Sequence, residues 1–263
     1  MLELYHKINS VCAQKVRLSI IEKQIPVQEH LMKLNGDQYH PDYLKLNPNG
    51  VVPTLVHDGR AIRESTIILY YLDDVFPQVP LMPVDPLRRA EVRLLNKLVD
   101  DYVHNACIVL TFAIAFRPGL LKMSLAEREA HFADTPIRNR ATYKRDVIEN
   151  GLDSGFVGDA LQDMLKFLKA IDAGLKNGPY IVGDTYSNAE AAAIPYVLRL
   201  ELLGLSGLWA RYPAVVQWWS RMRARDSTQK AILSRMAEAD WAPFRNSATD
   251  PWPKVEALVK AAA

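Results

Sequence analysis

The chain has 263 residues, a length that suits one large domain or two smaller ones. Its composition, with 49% apolar and 24% charged residues, is ordinary for a globular protein, so extended disorder is not expected. A net charge of +2 is too small to indicate a nucleic-acid or membrane surface, and two cysteines without metal-ligand spacing disfavour a disulfide framework and a zinc site.

The first third of the chain alternates short strand-like and helix-like runs. In chain order these are a strand at "LELY", a helix over 11–24, a strand at "IPVQEHLM", a short helix at "PDYLKL", two strands around Asp58-Gly59 and a helix over 66–76. The Asp-Gly pair between the two strands is a tight hairpin signal. This order predicts a four-stranded mixed sheet covered by helices, which is what a thioredoxin-like α/β domain requires.

The pattern changes at residues 77–86, where prolines are frequent and no periodicity survives, so we predict a linker there. We expect domain 1–76 before it, an all-helical domain 87–240 after it, and a C-terminal tail 241–263. The predicted helices of the second domain cover 87–117, 124–133, 154–177, 187–204 and 213–224. Ser187 and Glu190 have the spacing of a capping box at one of these helix starts.

We expect neither a secretory segment at the N-terminus nor a membrane-spanning helix. The chain goes from Met1 directly into a strand-like run, without a basic segment and a long apolar core. The most apolar run, residues 106–116, reaches about half of the length that a bilayer requires. We therefore expect a soluble, cytoplasmic protein.

Ser10 and Cys12 lie where the first helix is predicted to begin. Unpaired amides and the helix dipole at such an end favour a negative charge, so a thiolate placed there is stabilised. Each residue also has a plain structural interpretation. Ser10 is a suitable helix cap, and Cys12 falls on a stripe with Val16 and Ile20, where a small buried residue is expected.

The segment "VVPTL" predicts a free backbone edge. Pro53 opens a strand and has no N–H to donate, so the preceding Val52 is expected at an edge with its backbone groups unpaired. A cis Val52-Pro53 bond would hold these groups toward a cleft, ready to pair with an extended peptide. The sequence therefore suggests a peptide-like ligand.

The segment "RESTIIL" can bind an amino-acid end. The Ser65 hydroxyl and the helix amides can hold a carboxylate, while Glu64 can meet an ammonium group. Gln38 and Asn49 offer amides on loops that would flank such a ligand.

Three N-terminal stretches resemble the first half of cytosolic glutathione S-transferases: "LELYHKINSVCAQKVRLSIIEK", "HPDYLKLNPNGVVPTLVHDG" and "ESTIILYYLDDVFP". The helical remainder, with "YIVGDTYSNAEAAAIP", resembles the second half. The resemblance implies the glutathione transferase fold, a glutathione site in the thioredoxin-like domain, an apolar acceptor site in the all-α domain and usually a homodimer.

The resemblance also implies roles for individual residues. Val52 would pair with the cysteinyl part of glutathione, Pro53 would be the cis proline, and Glu64 with Ser65 would bind the γ-glutamyl end. Gln38 and, as a looser match, Asn49 would complete the glutathione site. Ser10 matches the activating serine of theta-like members; Tyr5 is the alternative, because other branches use a tyrosine near the end of the first strand.

Different stretches of the chain resemble two different branches of the family. The run "SVCAQKVRL" is similar to tetrachlorohydroquinone-type reductive dehalogenases, in which a cysteine at the position of Cys12 resolves a glutathione conjugate. "HDGRAIRESTIILYYLDDVFP" and "DPLRRAEVRLLNKLVDDY" are similar to bacterial β-aryl etherases. The expected function is glutathione-dependent attack on a hydrophobic aromatic electrophile, with ether cleavage preferred. Reductive dehalogenation and a non-catalytic glutathione-binding module are the alternatives.

Overall fold

The protein was analysed as a computed structural model, which describes residues 1–34, 36–133, 140–245 and 250–261. Among these residues, the N-terminal part contains a four-stranded sheet, whose strands are numbered in chain order below and lie side by side in the order β2-β1-β3-β4. The strands are β1 (Leu2–His6), β2 (Gln28–Leu31), β3 (Thr54–His57) and β4 (Arg60–Ile62). β1 pairs with β2 in parallel, whereas the pairs β1–β3 and β3–β4 are antiparallel. Helices α1 (Val11–Glu22), α2 (Pro41–Leu46) and α3 (Ser65–Val75) connect and cover them.

The remainder is helical. One continuous helix, Pro86–Leu120, consists of α4 (Pro86–Leu98), α5 (His104–Thr111) and α6 (Arg117–Leu120), joined by π-helical turns at Val99–Val103 and Phe112–Phe116. The following helices are α7 (Leu125–Ala133), α8 (Arg140–Asn150), α9 (Gly155–Gly174), α10 (Asn188–Leu202), α11 (Pro213–Ala224), α12 (Asp226–Ala231), α13 (Glu238–Arg245) and α14 (Trp252–Ala261).

The predicted element order and fold class are confirmed. The hairpin turn has positive φ at both central residues, 48° at Asp58 and 78° at Gly59. Its sequence supplies a residue that tolerates this region and one that favours it. The capping box at the start of α10 is present, with Ser187 accepting from the Ala189 amide and Glu190 accepting from the Ser187 amide. The domain limits at 76, 86 and 240 stay a prediction.

One expectation about apolar length needs correction. Among the described residues, Pro86–Leu120 is long and apolar enough to cross a membrane by length and composition. The run 106–116, on which that expectation rested, is only one part of this continuous helix, which the sequence predicts over 87–117. Half of the most apolar window is buried inside the fold. A core helix of a soluble protein passes the same test, so this helix is weak evidence for a membrane.

Helix α1 is packed on two sides. Val16 and Ile20 join the core beneath the sheet, together with Leu4 and Leu55. Val11 and Leu18 of the same helix, and Leu69 of α3, belong to the core of the helical part. Because both faces are covered, even polar residues of α1 are buried, and α1 connects the sheet to the helical part.

The loop between β1 and α1 rests on a buried charged network. The guanidinium of Arg17, which is 1% exposed, donates to the backbone carbonyls of Lys7 and Ile8 at 3.1 and 2.7 Å. It also contacts Nδ1 of His6 at 3.0 Å, while Nε2 of His6 lies 3.1 Å from Glu29. Arg235 binds the same carboxylate at 2.8 Å.

These partners select a neutral His6. Nδ1 accepts from Arg17 and Nε2 donates to Glu29, which assigns the tautomer. A second ring proton would point at the Arg17 guanidinium. Burial and the Arg17 charge lower the pKa of His6 to about 4, although Glu29 acts in the opposite direction.

This pKa predicts a pH-dependent stability. Above the ordinary histidine pKa of 6.5, both folded and unfolded His6 are neutral. As the pH falls from 6.5 toward 4, only the unfolded chain takes up this proton, so up to about 3 kcal/mol of unfolding free energy is lost. Urea unfolding across this range should show a smaller loss for His6→Gln, whose amide can accept from Arg17 and donate to Glu29.

His40→Gln is the control. His40 is 67% exposed, so this variant should lose as much stability between pH 6.5 and 4 as the unmodified protein. Equal losses in His6→Gln and the unmodified protein would show that His6 does not carry this dependence.

Candidate functional site

A surface groove lies between the loop that follows α2 and the start of α3. It has a volume of about 450 Å³ and is lined by Asn49, Ala61, Ile62, Arg63, Glu64 and Ile67. Two of the predicted binding residues, Asn49 and Glu64, are thus brought together. An acidic, a basic and an amide side chain at one groove suit a small ligand that carries both charges.

Val52 and Pro53 have the backbone arrangement that the sequence suggests. The Val52-Pro53 peptide bond is cis. Tyr43 and Asn47 donate to the carbonyl of Val51 at 2.6 and 2.8 Å, which fixes the segment before it. Within the described ranges, no hydrogen bond uses the N–H or the C=O of Val52. These two groups remain available to an extended ligand.

The start of α3 presents Glu64 and Ser65. Glu64 has a φ of 65°, in the left-handed region, and its side chain makes no capping hydrogen bond. Ser65 is the first residue of α3 and is 6% exposed. Its hydroxyl has no partner among the residues described. A buried hydroxyl beside unpaired helix amides provides capacity for a carboxylate.

The next residue ties this helix start to the rest of the protein. Thr66 donates to Asp100 at 2.9 Å and accepts from the fully buried Lys15 at 2.7 Å. Asp100 belongs to the π-helical turn Val99–Val103. This network joins α1, α3 and the long helix directly behind Ser65.

Gln38 is placed differently from its expected neighbours. It is 9% exposed, and its side-chain oxygen accepts from the Gly36 amide at 3.1 Å. It therefore stabilises its own loop and is absent from the groove lining. That loop packs closely on the Asn49 loop. Tyr39 approaches Gly50 so closely that a Cβ added at Gly50 would lie 2.8 Å from the Tyr39 ring.

Ser10 is the N-cap of α1, outside the lining of the groove. Its oxygen accepts from the Ala13 amide at 3.4 Å, which leaves its O–H free to donate. The preceding residue, Asn9, is held from the helical part: Arg199 of α10 donates to its backbone carbonyl at 2.8 Å and to its side-chain oxygen at 2.7 Å. The position of Ser10 thus depends on both parts of the chain.

Tyr5, the alternative to Ser10, is engaged elsewhere. Its ring stacks on His30 of β2, with centroids 4.4 Å apart and planes 15° apart. Burial, with a smaller contribution from Glu3, raises the pKa of Tyr5.

The expectation that Cys12 is buried together with Val16 and Ile20 was wrong: those two residues join the core beneath the sheet, whereas Cys12 packs against the core of the helical part. The residue is partly exposed, and its side chain packs against the helical part of the protein. The sulfur lies 3.5 Å from Nδ1 of His104 on α5 and 3.9 Å from the hydroxyl of Tyr196 on α10. The reason for the error is that α1 buries more than one face.

The surroundings of Cys12 favour the thiolate. Burial alone would raise its pKa, but His104, Lys15 and Tyr196 outweigh this and lower the pKa to about 6. The other thiol behaves differently: burial raises the pKa of Cys107 to about 11. The two cysteines therefore differ in reactivity because of their neighbours.

Three residues near the first helix were not identified from the sequence. No motif in the sequence indicates a role for His104, Tyr196 or Arg199. His104 and Tyr196 contact Cys12 and lie 92 and 184 residues from it in the sequence. Arg199 contacts Asn9, which is 190 residues away. No local spacing signal connects residues so far apart.

Comparisons with known proteins agree with this architecture. The glutathione S-transferase N-terminal domain model matches residues 9–75 and the C-terminal domain model matches residues 157–226, together a little over half of the chain. Protein LigF of Sphingobium sp. strain SYK-6 is 28% identical over 239 residues, 87% of this chain and 92% of LigF. The crystal structure of beta-etherase LigF has a TM-score of 0.78 and 27% identity, and the match covers 88% of this chain and 98% of that one.

A second relative and another solved structure are also similar to this chain. Tetrachloro-p-hydroquinone reductive dehalogenase of Sphingobium chlorophenolicum is 27% identical over 237 residues, 87% of this chain and 94% of the dehalogenase. A glutathione transferase homolog from Sulfitobacter, solved with bound glutathione, has a TM-score of 0.63 at 22% identity and covers 89% of this chain and 99% of its own, a likeness of fold. The chain belongs to the glutathione S-transferase family, which uses glutathione as its co-substrate and combines a thioredoxin-like domain with an all-helical one.

Proposed function

We propose that this protein is a glutathione S-transferase that binds glutathione along Val52 and at the start of α3. The unpaired backbone of Val52, beside the cis Pro53, carries the proposal, since it can pair with the cysteinyl residue of the tripeptide. Ser65 and the α3 amides would bind the γ-glutamyl carboxylate, and Glu64 its ammonium group. Asn49 would line the same groove, while Gln38 would support it through its loop.

Ser10 is proposed to activate the thiol. Its O–H is free to donate to sulfur, and it caps α1, whose first amides favour a negative charge. A hydrogen bond to a charged group contributes about 1.5–3 kcal/mol, which corresponds to lowering a pKa by roughly one to two units. The resulting thiolate forms a carbon–sulfur bond to an aromatic substrate, and the leaving group departs with the bonding electron pair.

Aromatic side chains support a hydrophobic acceptor. Phe112 and Phe116 form an edge-to-face pair with centroids 5.2 Å apart, and Phe244 of α13 lies 6.3 Å from Phe116. Phe244 also covers the guanidinium of Arg199, which holds the loop before Ser10. The C-terminal tail thus packs beside the proposed thiolate site, where these rings would contact an aromatic electrophile.

Cleavage of a β-aryl ether is the specific reaction that we propose, on the basis of the similarity to LigF over most of both chains. The thiolate would attack the ether-bearing carbon and displace an aryloxide. Reductive dehalogenation is the alternative, favoured by the position of Cys12 beside His104 and by the similarity to the dehalogenase. The third possibility is a non-catalytic glutathione-binding module. The thiolate-band measurement described below distinguishes it from a transferase.

The remaining partner and location proposals follow the family. We propose a homodimer in the cytoplasm that acts in detoxification or aromatic catabolism. Large apolar side chains left exposed on neighbouring helices α3 and α4, namely Ile67, Leu87 and Leu94, support a self-association surface. The proposed organisation is a glutathione-binding domain 1–76, a linker 77–86, an acceptor domain 87–240 and a tail 241–263.

Ser10→Ala should raise the pKa of the bound glutathione thiol by about one to two units, because the donor to the sulfur is lost. The measurement is the pH dependence of the ultraviolet thiolate band of the complex, with binding measured by calorimetry. Ser187→Ala removes a serine cap from α10 and serves as the matched control for lost helix capping. Unmodified protein that binds glutathione without ionising it would support the non-catalytic module, and no heat of binding would refute the glutathione site.

Cys12→Ala separates the two reactions. Under the ether-cleavage proposal, turnover of a model β-aryl ether should change by no more than about twofold, since the nucleophile is the sulfur of glutathione and not that of Cys12. Under the dehalogenase alternative, a halogenated hydroquinone should stop at its glutathione conjugate, which mass spectrometry detects. Cys107→Ala is the control for removing a thiol.

Loss of ether cleavage in Cys12→Ala, with normal folding and glutathione binding, would contradict the proposal that Ser10 activates the glutathione thiol without help from Cys12. Unchanged turnover on all tested electrophiles would remove Cys12 from catalysis.

A further inference from the structure

Three helices bring a thiol, an imidazole and a phenol together beside the first turn of α1. The sulfur of Cys12 lies 3.5 Å from Nδ1 and 3.9 Å from Nε2 of His104. The hydroxyl of Tyr196 is 3.2 Å from Nδ1 and 3.9 Å from the sulfur. Tyr196 is fully buried, and these two atoms are the only partners of its hydroxyl within the described ranges.

Two donors can point at the sulfur of Cys12. In the neutral arrangement, the thiol donates to Nδ1 of His104 and the Tyr196 hydroxyl donates to the sulfur. With the thiol proton moved to Nδ1, the imidazolium N–H and the Tyr196 hydroxyl both donate to the thiolate. Both arrangements pair all three groups, and in the second the hydrogen bonds to the sulfur are charge-assisted, which is the stronger kind.

The charges around the cluster act in the same direction. The ammonium of Lys15 lies on the same helix and helps to lower the pKa of Cys12. Asp100 opposes it in part, because its carboxylate is 3.3 Å from that ammonium, but Asp100 is 43% exposed and also bound by Thr66. His104 on α5, Lys15 on α1 and Tyr196 on α10 act on Cys12 directly. The other titratable and charged groups around the cluster are Asp100 in the π-helical turn, Cys107 on α5 and Arg199 on α10.

We propose that Cys12 and His104 form a second thiolate centre, separate from the glutathione sulfur, which reacts with soft carbon electrophiles. Tyr196 is its positioning residue. With an α-halocarbonyl compound, the carbon–sulfur bond forms while the halide leaves with the bonding pair, and His104 keeps its proton. With a quinone, the sulfur adds to a ring carbon, the electron pair moves to the quinone oxygen, and that oxygen takes the proton of His104.

This centre does not require the glutathione chemistry assigned to Ser10. Cys12 is a partly exposed residue beside the helical part of the protein, and we expect a small reagent to reach its sulfur. The only other cysteine, Cys107, is 2% exposed and has Thr111 as its hydrogen-bond partner, at 4.0 Å. The chain thus carries its own unreactive thiol for comparison.

The test is alkylation of the Cys107→Ala variant by iodoacetamide without glutathione. We expect the rate to be half-maximal near pH 6 and, at neutral pH, roughly thirtyfold above that expected from the thiolate fraction of an ordinary thiol with a pKa of about 8.5. Adding His104→Gln should raise the apparent pKa by at least about one unit and therefore slow alkylation at least about fivefold at pH 6. Tyr196→Phe should shift the profile in the same direction by less.

Two outcomes would overturn the proposal: a profile with an apparent pKa near 8.5, or one that His104→Gln leaves unchanged. A second measurement does not depend on the folding of the His104 variant. The ultraviolet thiolate band of Cys107→Ala, minus that of the Cys12→Ala/Cys107→Ala protein, should already be present at neutral pH. Its absence there would also refute the centre. Neither measurement involves glutathione, so failure here would leave the transferase proposal intact.

Discussion

Two buried arginines hold the three consecutive backbone carbonyls that lead to Ser10. Arg17, from the helix that follows, binds the carbonyls of Lys7 and Ile8, and Arg199, from α10, binds that of Asn9. Unpaired buried carbonyls are costly, and hydrogen bonds from a charged donor are among the stronger ones in proteins. The start of α1 is therefore fixed by contacts from both parts of the molecule. Every role proposed for Ser10 or Cys12 depends on this loop.

Burying these charges has its own cost, which the surrounding groups offset. Arg17 donates to carbonyls and to neutral His6, while Glu29 lies between His6 and Arg235. Such a network stabilises one arrangement of the loop, because removing a single partner leaves a buried charge or donor unpaired. It also explains why α1 carries arginine and lysine at positions with almost no solvent exposure.

The sequence predicts the sheet and its helices well, because each signal there is local. The Asp58-Gly59 hairpin and the Ser187 capping box depend on residues within a few positions of each other, and both are present. The groove with Asn49 and Glu64 follows from motifs near α3. By contrast, the neighbours of Cys12 come from residues about 90 and 180 positions away, whose contacts depend on how α1, α5 and α10 pack. An amphipathic pattern assumes one buried face, and α1 has more than one.

The π-helical turn at Val99–Val103 explains how one helix can serve both sides of the site. A π turn inserts an extra residue, which rotates the residues after it relative to those before it, and such turns are frequent at functional sites. Asp100, within the turn, faces Lys15 and Thr66 behind Ser65, whereas His104, directly after it, faces Cys12. The same turn therefore connects the proposed glutathione-binding end of α3 to the proposed thiolate centre. The local helix geometry, as well as residue type, determines which of these side chains can act together.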